Sequence, residues 1–252
     1  MLVRGCCVAA IALVGALHPF PHFMEANCAR ADFQSRGRPV RAELCRATRD
    51  ASPGRAVVIL HGCGGFSTFD HRLAAELPGA GISTLYVDYF EPTPPPGSRG
   101  FCPGRSRPAA FDRRLVFNRW IEVVDDAGAA LARTSGVAPN RVGLVGWSLG
   151  AGLAIDVAAL QNLRTFNAVV AFSAGSFGHT PAQLASLPPT LLLSGGRTDA
   201  VPLSSTLELY RAARAAGVKA SLFVYPHGSH AWPGAQGAAG IAHAAGFLRA
   251  NL

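Results

Sequence analysis

The sequence predicts an α/β fold, a mostly parallel central sheet flanked by helices on both faces, and three observations support it. From residue 55 onward, short apolar runs alternate with Ala- and Leu-rich stretches, the pattern of strand-helix units wound around a parallel sheet. The runs are uniformly apolar instead of alternating, as expected of strands covered on both faces. The chain is 49% hydrophobic and 15% charged over 252 residues, with 28 Gly and 18 Pro to serve its turns. That composition excludes disorder for the bulk of the chain. No internal repeat or linker divides it, so one domain over 32–252 is the simpler reading of this length.

Taken in order, Asp32 to Cys45 is expected to add one or two antiparallel strands at the front edge. Strands follow at Ala56–Leu60, Ile82–Val87, Val142–Val145, Ala168–Phe172, Thr190–Ser194 and Ser221–Tyr225, each bounded by Gly or Pro or by polar turn residues. Between them the helical stretches are Thr68–Leu77, Phe111–Arg133, Leu149–Leu160, Leu203–Ala216 and Gly237–Ala250. Pro92 to Pro108 is the one long irregular segment, a length that in a compact domain tends to serve function.

Residues 1–31 read as a signal peptide and leader. Arg4 precedes an apolar run from Cys6 to Leu17, twelve residues and so well under the roughly 18 needed to cross a bilayer. Cleavage-compatible small residues occur at Val14-Gly15-Ala16 and at Ala29-Arg30-Ala31. Export to a periplasmic or external compartment is the expectation; without cleavage the protein is cytoplasmic. Cys28, Cys45, Cys63 and Cys102 then allow three disulfide pairings that the sequence does not rank. No Cys/His spacing suggests a metal, and no cofactor is expected.

The chemistry concentrates at loops that follow strands. Gly146-Trp147-Ser148-Leu149-Gly150 comes directly after the Val142–Val145 strand and opens a helix, the context a G-x-S-x-G nucleophile elbow requires. Ser148 must adopt a sharply turned backbone there, tolerable only if residues two positions either side lack colliding side chains. A serine needs a base, and the base an orienting carboxylate, in the chain order Ser, Asp or Glu, His. Asp199 lies in the loop leaving the Thr190–Ser194 strand and is the best candidate. Asp156 and Glu208 fall within helices, and Asp88 precedes the elbow. For the base, His230 reaches deeper into the final loop than His227, which reads as a turn residue between Pro226 and Gly228. His61-Gly62-Cys63-Gly64-Gly65 follows the first parallel strand, where the backbone N–H of Cys63 is expected to join that of Leu149 in holding an oxyanion. Cys63 as a thiol nucleophile is the weaker reading, since no elbow surrounds it, and His61 reads as a residue bracing the loop.

In these motifs, together with Val87-Asp88-Tyr89-Phe90, Asp199-Ala200-Val201-Pro202 and Tyr225-Pro226…His230, the chain resembles the dienelactone hydrolase family of α/β-hydrolases from about residue 38 to the C-terminus. The resemblance implies the α/β-hydrolase fold and hydrolysis of esters or lactones. It also shows a departure. The founding members carry cysteine at the elbow, restrained by a glutamate on the oxyanion-side loop, whereas this chain has Ser148 and no glutamate there. A serine esterase mechanism with a small-molecule ester substrate fits that change. A non-catalytic, ligand- or partner-binding member of the fold is the alternative.

The net charge of +8 comes almost wholly from arginine, Lys219 being the sole lysine. Arg99, Arg105, Arg107, Arg113, Arg114 and Arg119 crowd one segment against the single Asp112. One reading gives Arg105 and Arg107 an anionic substrate to hold; the other makes the segment a solvated basic face. Nucleic-acid binding is not expected, because no aromatics interleave with the charge and no binding motif is present. Trp147 and Trp232, with Phe66 and Phe177, are candidates to line the substrate pocket. Oligomeric state has no signal in the sequence.

Overall fold

The computed structural model describes residues 27–48, 54–90, 113–160, 165–176 and 178–252. Among the described residues, eight strands form one sheet in the order β1 (Cys28–Arg30), β4 (Ala42–Cys45), β6 (Ile82–Val87), β5 (Gly54–Leu60), β7 (Val137–Trp147), β8 (Ala168–Phe172), β9 (Thr190–Ser194) and β10 (Ala220–Val224). The strands from β6 across to β10 are parallel, and β4 and β1 extend the sheet antiparallel at the edge beyond β6. The parallel strands are β5 (Gly54–Leu60), β6 (Ile82–Val87), β7 (Val137–Trp147), β8 (Ala168–Phe172), β9 (Thr190–Ser194) and β10 (Ala220–Val224). Expected and observed bounds coincide for β6, β8 and β9. β7 begins five residues earlier than its apolar run, because Gly54 at the start of β5 pairs with Val137 across a register shift.

Strand β5 shows why these runs are apolar throughout. Ala56, Val58 and Leu60 belong to one buried cluster, and Val57 and Ile59 to another. Alternate side chains point to opposite faces of a strand, so the clusters lie on the two sides of the sheet. The helices are α1 (Thr68–Glu76), α2 (Arg113–Ala132), α3 (Leu149–Ala159), α4 (Pro181–Leu184), α5 (Leu203–Ala215) and α6 (Gly234–Asn251). α2, α3 and α5 cover the first cluster, and α1 and α6 the second. Helix α1 starts at a capping box, with Ser67 and Asp70 satisfying each other's backbone N–H groups. A 3₁₀ turn, Leu77–Ala80, ends that segment at Gly81, whose φ of 81° is left-handed.

The front edge holds more than the one or two strands expected. β1 (Cys28–Arg30) pairs with β4 (Ala42–Cys45), while β2 (Phe33–Ser35) and β3 (Arg38–Val40) form a separate hairpin. Disulfide Cys28–Cys45 joins directly opposed residues of β1 and β4. Among the described residues, β1 thus lies ahead of residue 32, on the leader side of the expected boundary.

The strand order places β6 on one side of β5 and β7 on the other. Crevices form at the carboxyl ends of strands where the order reverses in this way, and the turn after β5 and the residues after β7 meet there. Among the described residues, no helix is long and apolar enough to cross a membrane.

Candidate active site

At the end of β7, Ser148 has φ 57° and ψ −116°, a conformation that a residue with a side chain keeps only when its surroundings impose it. Both flanking glycines are obligatory. A Cβ on Gly146 would run into the Gly150 carbonyl, and one on Gly150 into the carbonyls of Leu60 and His61. Ser148 N–H donates to the Phe172 carbonyl (2.9 Å), which pins the turn to β8. Leu149 is the first residue of α3, so its N–H has no partner within the helix and stands at the positive end of the helix dipole.

The loops after β9 and β10 reach the same edge. His230 Nε2 lies 3.0 Å from Ser148 Oγ, and His230 Nδ1 lies 2.6 Å from Asp199 Oδ1. The Asp199 side chain is fully buried, whereas that of His230 is 25% exposed. Burial pushes the Asp199 carboxyl up, but hydrogen bonds from His230, from Ser173 and from the N–H groups of Val201 and Gly195 outweigh it and hold the group below its ordinary value. An ionised carboxylate only accepts, so Nδ1 carries the imidazole proton and Nε2 presents its lone pair to Ser148.

The His230 loop is fastened on several sides. Trp147 Nε1 donates to the His230 carbonyl (2.8 Å), and the two rings are 5.2 Å apart. Gln236 bonds both backbone groups of Ser229, and Thr198 donates to the Gly228 carbonyl, tying the Asp199 loop to the His230 loop. His227 is exposed in the turn after β10.

In the turn after β5, His61 is completely buried, stacked on Tyr89 at 4.2 Å. Its Nδ1 lies 2.9 Å from the Gly62 carbonyl oxygen, and because a carbonyl only accepts, Nδ1 is the donor. In a planar trans peptide the C=O and the following N–H point opposite ways. Holding the Gly62 carbonyl therefore turns the Cys63 N–H away from His61. Behind it, Asp88 lies 3.6 Å from His61 Nε2 and 2.9 Å from Arg41. Burial raises the Asp88 carboxyl, while His61 and Arg41 more than offset this and keep it below the usual carboxylate range. His61 thus braces the loop, as the sequence suggests.

Several expectations change. Cys63 is half-buried and disulfide-bonded, its partner lying outside the described residues. It is neither a thiol nucleophile nor a plain buried thiol, since the sulfur is already oxidised. Trp232 does not line a pocket: it is 1% exposed and sits in the core, its Nε1 donating to Ser173 Oγ (2.9 Å). Its aromatic ring packs against Phe69, Phe172 and Tyr225, which burial of so large a ring favours. Arg105, Arg107 and Phe177 lie outside the described residues. Of the arginine-rich segment, Arg119 bonds Glu122 and the Ser35 carbonyl, a link between α2 and the β2 strand. Asp156 pairs with His179 at 2.5 Å beside a cavity of about 550 Å³ lined from α2, α3 and α4.

Ser173, which donates to Asp199, has no motif around it in the sequence. Its one signal is position, directly after β8 on the edge that carries Ser148, Asp199 and His230. Among the described residues no cluster of His, Cys, Asp or Glu could hold a metal.

Comparison with known proteins bears on the fold and the family. No curated protein sequence matches the chain. A dienelactone hydrolase-like promiscuous phosphotriesterase from metagenomic libraries superposes with a TM-score of 0.69 at 14% identity, over 89% of this chain and 98% of that one. A fungal esterase from Rhizomucor miehei gives 0.69 at 15%, over 89% and 83%. The hyperthermophilic esterase of the archaeon Pyrobaculum calidifontis gives 0.68 at 19%, over 89% and 83%. At such identities the likeness speaks for the fold. The dienelactone hydrolase family profile matches residues 42–246. That span runs from β4 into α6 and takes in every strand-end loop of the site, so the chain belongs to the dienelactone hydrolase family and is an ester-bond hydrolase with the α/β-hydrolase fold.

Proposed function

We propose that the protein is a serine esterase acting on small carboxylic esters or lactones through a Ser148-His230-Asp199 triad. The observation that carries the reading is the unbroken chain of hydrogen bonds from Ser148 Oγ through His230 to a buried, ionised Asp199, standing on a strained elbow. His230 Nε2 takes the Ser148 proton as Oγ attacks the acyl carbon, and the N–H groups of Cys63 and Leu149 hold the resulting oxyanion. His230 then returns the proton to the departing alkoxide, leaving an acyl-serine. Water, deprotonated by the same nitrogen, attacks the acyl carbon, and the acid leaves as Ser148 regains its proton. Asp199 steadies the imidazolium formed in both halves. Two backbone donors of this kind lower the barrier by a few kcal/mol when well placed.

Treatment with a fluorophosphonate probe followed by mass spectrometry tests the mechanism. A Ser148 adduct, with activity on activated short-chain esters that Ser148→Ala abolishes, is the expected result. No adduct, with wild type and variant equally inert, would falsify it in favour of a binding role. Kinetics on matched neutral and carboxylated esters test an anionic preference, which should weaken in Arg105→Ala and Arg107→Ala.

Export is proposed as well. Cys28–Cys45 and the oxidised Cys63 suit an oxidising compartment. Cleavage near Val14-Gly15-Ala16 would retain Cys28, and N-terminal sequencing of the secreted or periplasmic protein reads the site directly.

A further inference from the structure

We propose that Ser173 is a positioning residue for catalysis, a fourth member of the proposed triad that acts by holding Asp199. The proposal rests on the serine-esterase reading. Ser173 Oγ donates to Asp199 Oδ2 at 2.6 Å and accepts from Trp232 Nε1 at 2.9 Å. A hydroxyl has one proton, so the Trp232 donor on its oxygen leaves that proton directed at the carboxylate. Trp232 is buried and wedged among aromatic rings, which fixes the direction of the indole N–H and with it the serine rotor.

The backbone adds a second, independent observation. Ser173 is 1% exposed and has φ 53°, a left-handed conformation that glycine adopts at no cost and serine does not. Its N–H bonds the Leu193 carbonyl at 2.7 Å, which keeps it there. A strained serine where glycine would be relaxed marks a side chain with work to do. The work is division of the carboxylate: Oδ2 takes Ser173 and the Gly195 N–H, and Oδ1 takes His230 and the Val201 N–H. Among these partners His230 is the only titratable one. With Oδ2 occupied, Asp199 cannot rotate, and Oδ1 stays aimed at Nδ1.

Ser173→Gly and Ser173→Ala test this together. Glycine removes the hydroxyl and relieves the φ 53° backbone, so it should fold at least as stably as Ser173→Ala. Both should lose about 10- to 100-fold in kcat with KM little changed, the scale of one charge-assisted hydrogen bond. Both should also move the acid limb of the kcat/KM profile upward by about half a pH unit, because Asp199 with one donor fewer is a stronger base toward His230. Trp232→Phe should shift the limb the same way by less, and Trp232→Phe combined with Ser173→Ala should do no more than Ser173→Ala alone. A Ser173→Gly enzyme with wild-type kcat and an unmoved pH profile overturns the proposal while Ser148 labelling stands. Loss of activity by the same factor at every pH overturns it in favour of a packing role. Absence of Ser148 labelling in the wild type overturns the triad and this proposal together.

Discussion

Replacing Asp70 by asparagine should change how stability depends on pH. Asp70 is fully buried at the start of α1, and burial pushes its carboxyl from 3.8 up to about 7, against the opposing pull of the Ser67 hydrogen bonds and of nearby His61. In the unfolded chain the group ionises near pH 3.9. Between about pH 4 and 7 the native state therefore keeps a proton that the unfolded state has released, and stability falls as pH rises through that window. At about 1.4 kcal/mol per pH unit over roughly three units, the contribution amounts to about 4 kcal/mol, fully present below about pH 4 and gone above about pH 7. Asparagine is neutral throughout and has no such slope. Urea denaturation of both proteins across this range gives the difference directly. Asp88 and Asp199, whose lowered values make stability rise with pH near and below their unfolded values, cancel in that difference. Relative to wild type, Asp70→Asn should gain about 4 kcal/mol between pH 4 and pH 8. A difference that stays flat would refute the reasoning that burial governs this carboxyl.

Other outcomes follow from single contacts. Asp199→Asn should lower kcat by roughly 10³- to 10⁴-fold, since an amide can hold the wrong imidazole tautomer, with circular dichroism and Tm checking that the fold persists. Gly150→Ala drives a Cβ into the carbonyls of Leu60 and His61; it should destabilise by about 3 kcal/mol in denaturant titration and remove activity even where folded. Replacing Cys28 and Cys45 by serine reopens a 17-residue separation and should lower stability by about 3 kcal/mol, measured against the wild type without reductant.

Much of the fold is legible because the central strands are buried on both faces and so read as apolar runs bounded by turn residues. β6, β8 and β9 match residue for residue on that account. The front strands are not legible in that way. β1, β2 and β3 have three residues each and largely exposed side chains, so their existence depends on edge pairing and a disulfide, not on patterning. That Ser148, Asp199 and His230 would be neighbours is legible because motif, chain order and sheet edge agree. Ser173 is not, since it lies 26 residues from Asp199 in the chain and nothing local distinguishes it. Trp232 misleads for a related reason: an aromatic near a candidate catalytic histidine reads as pocket wall until its burial is known. Asp70 stands in the first turn of α1, an ordinary place for an acidic residue, and its burial is a tertiary property.

The fit of Gly150 against the end of β5 has a bearing on how this protein could acquire new substrates. With main chain resting on main chain there, the turn after β5 and the elbow pack as one block whose closest contact involves no side chain. Evolutionary change in specificity is thereby channelled into side chains outside the block, which can alter their chemistry while the block itself is inherited whole.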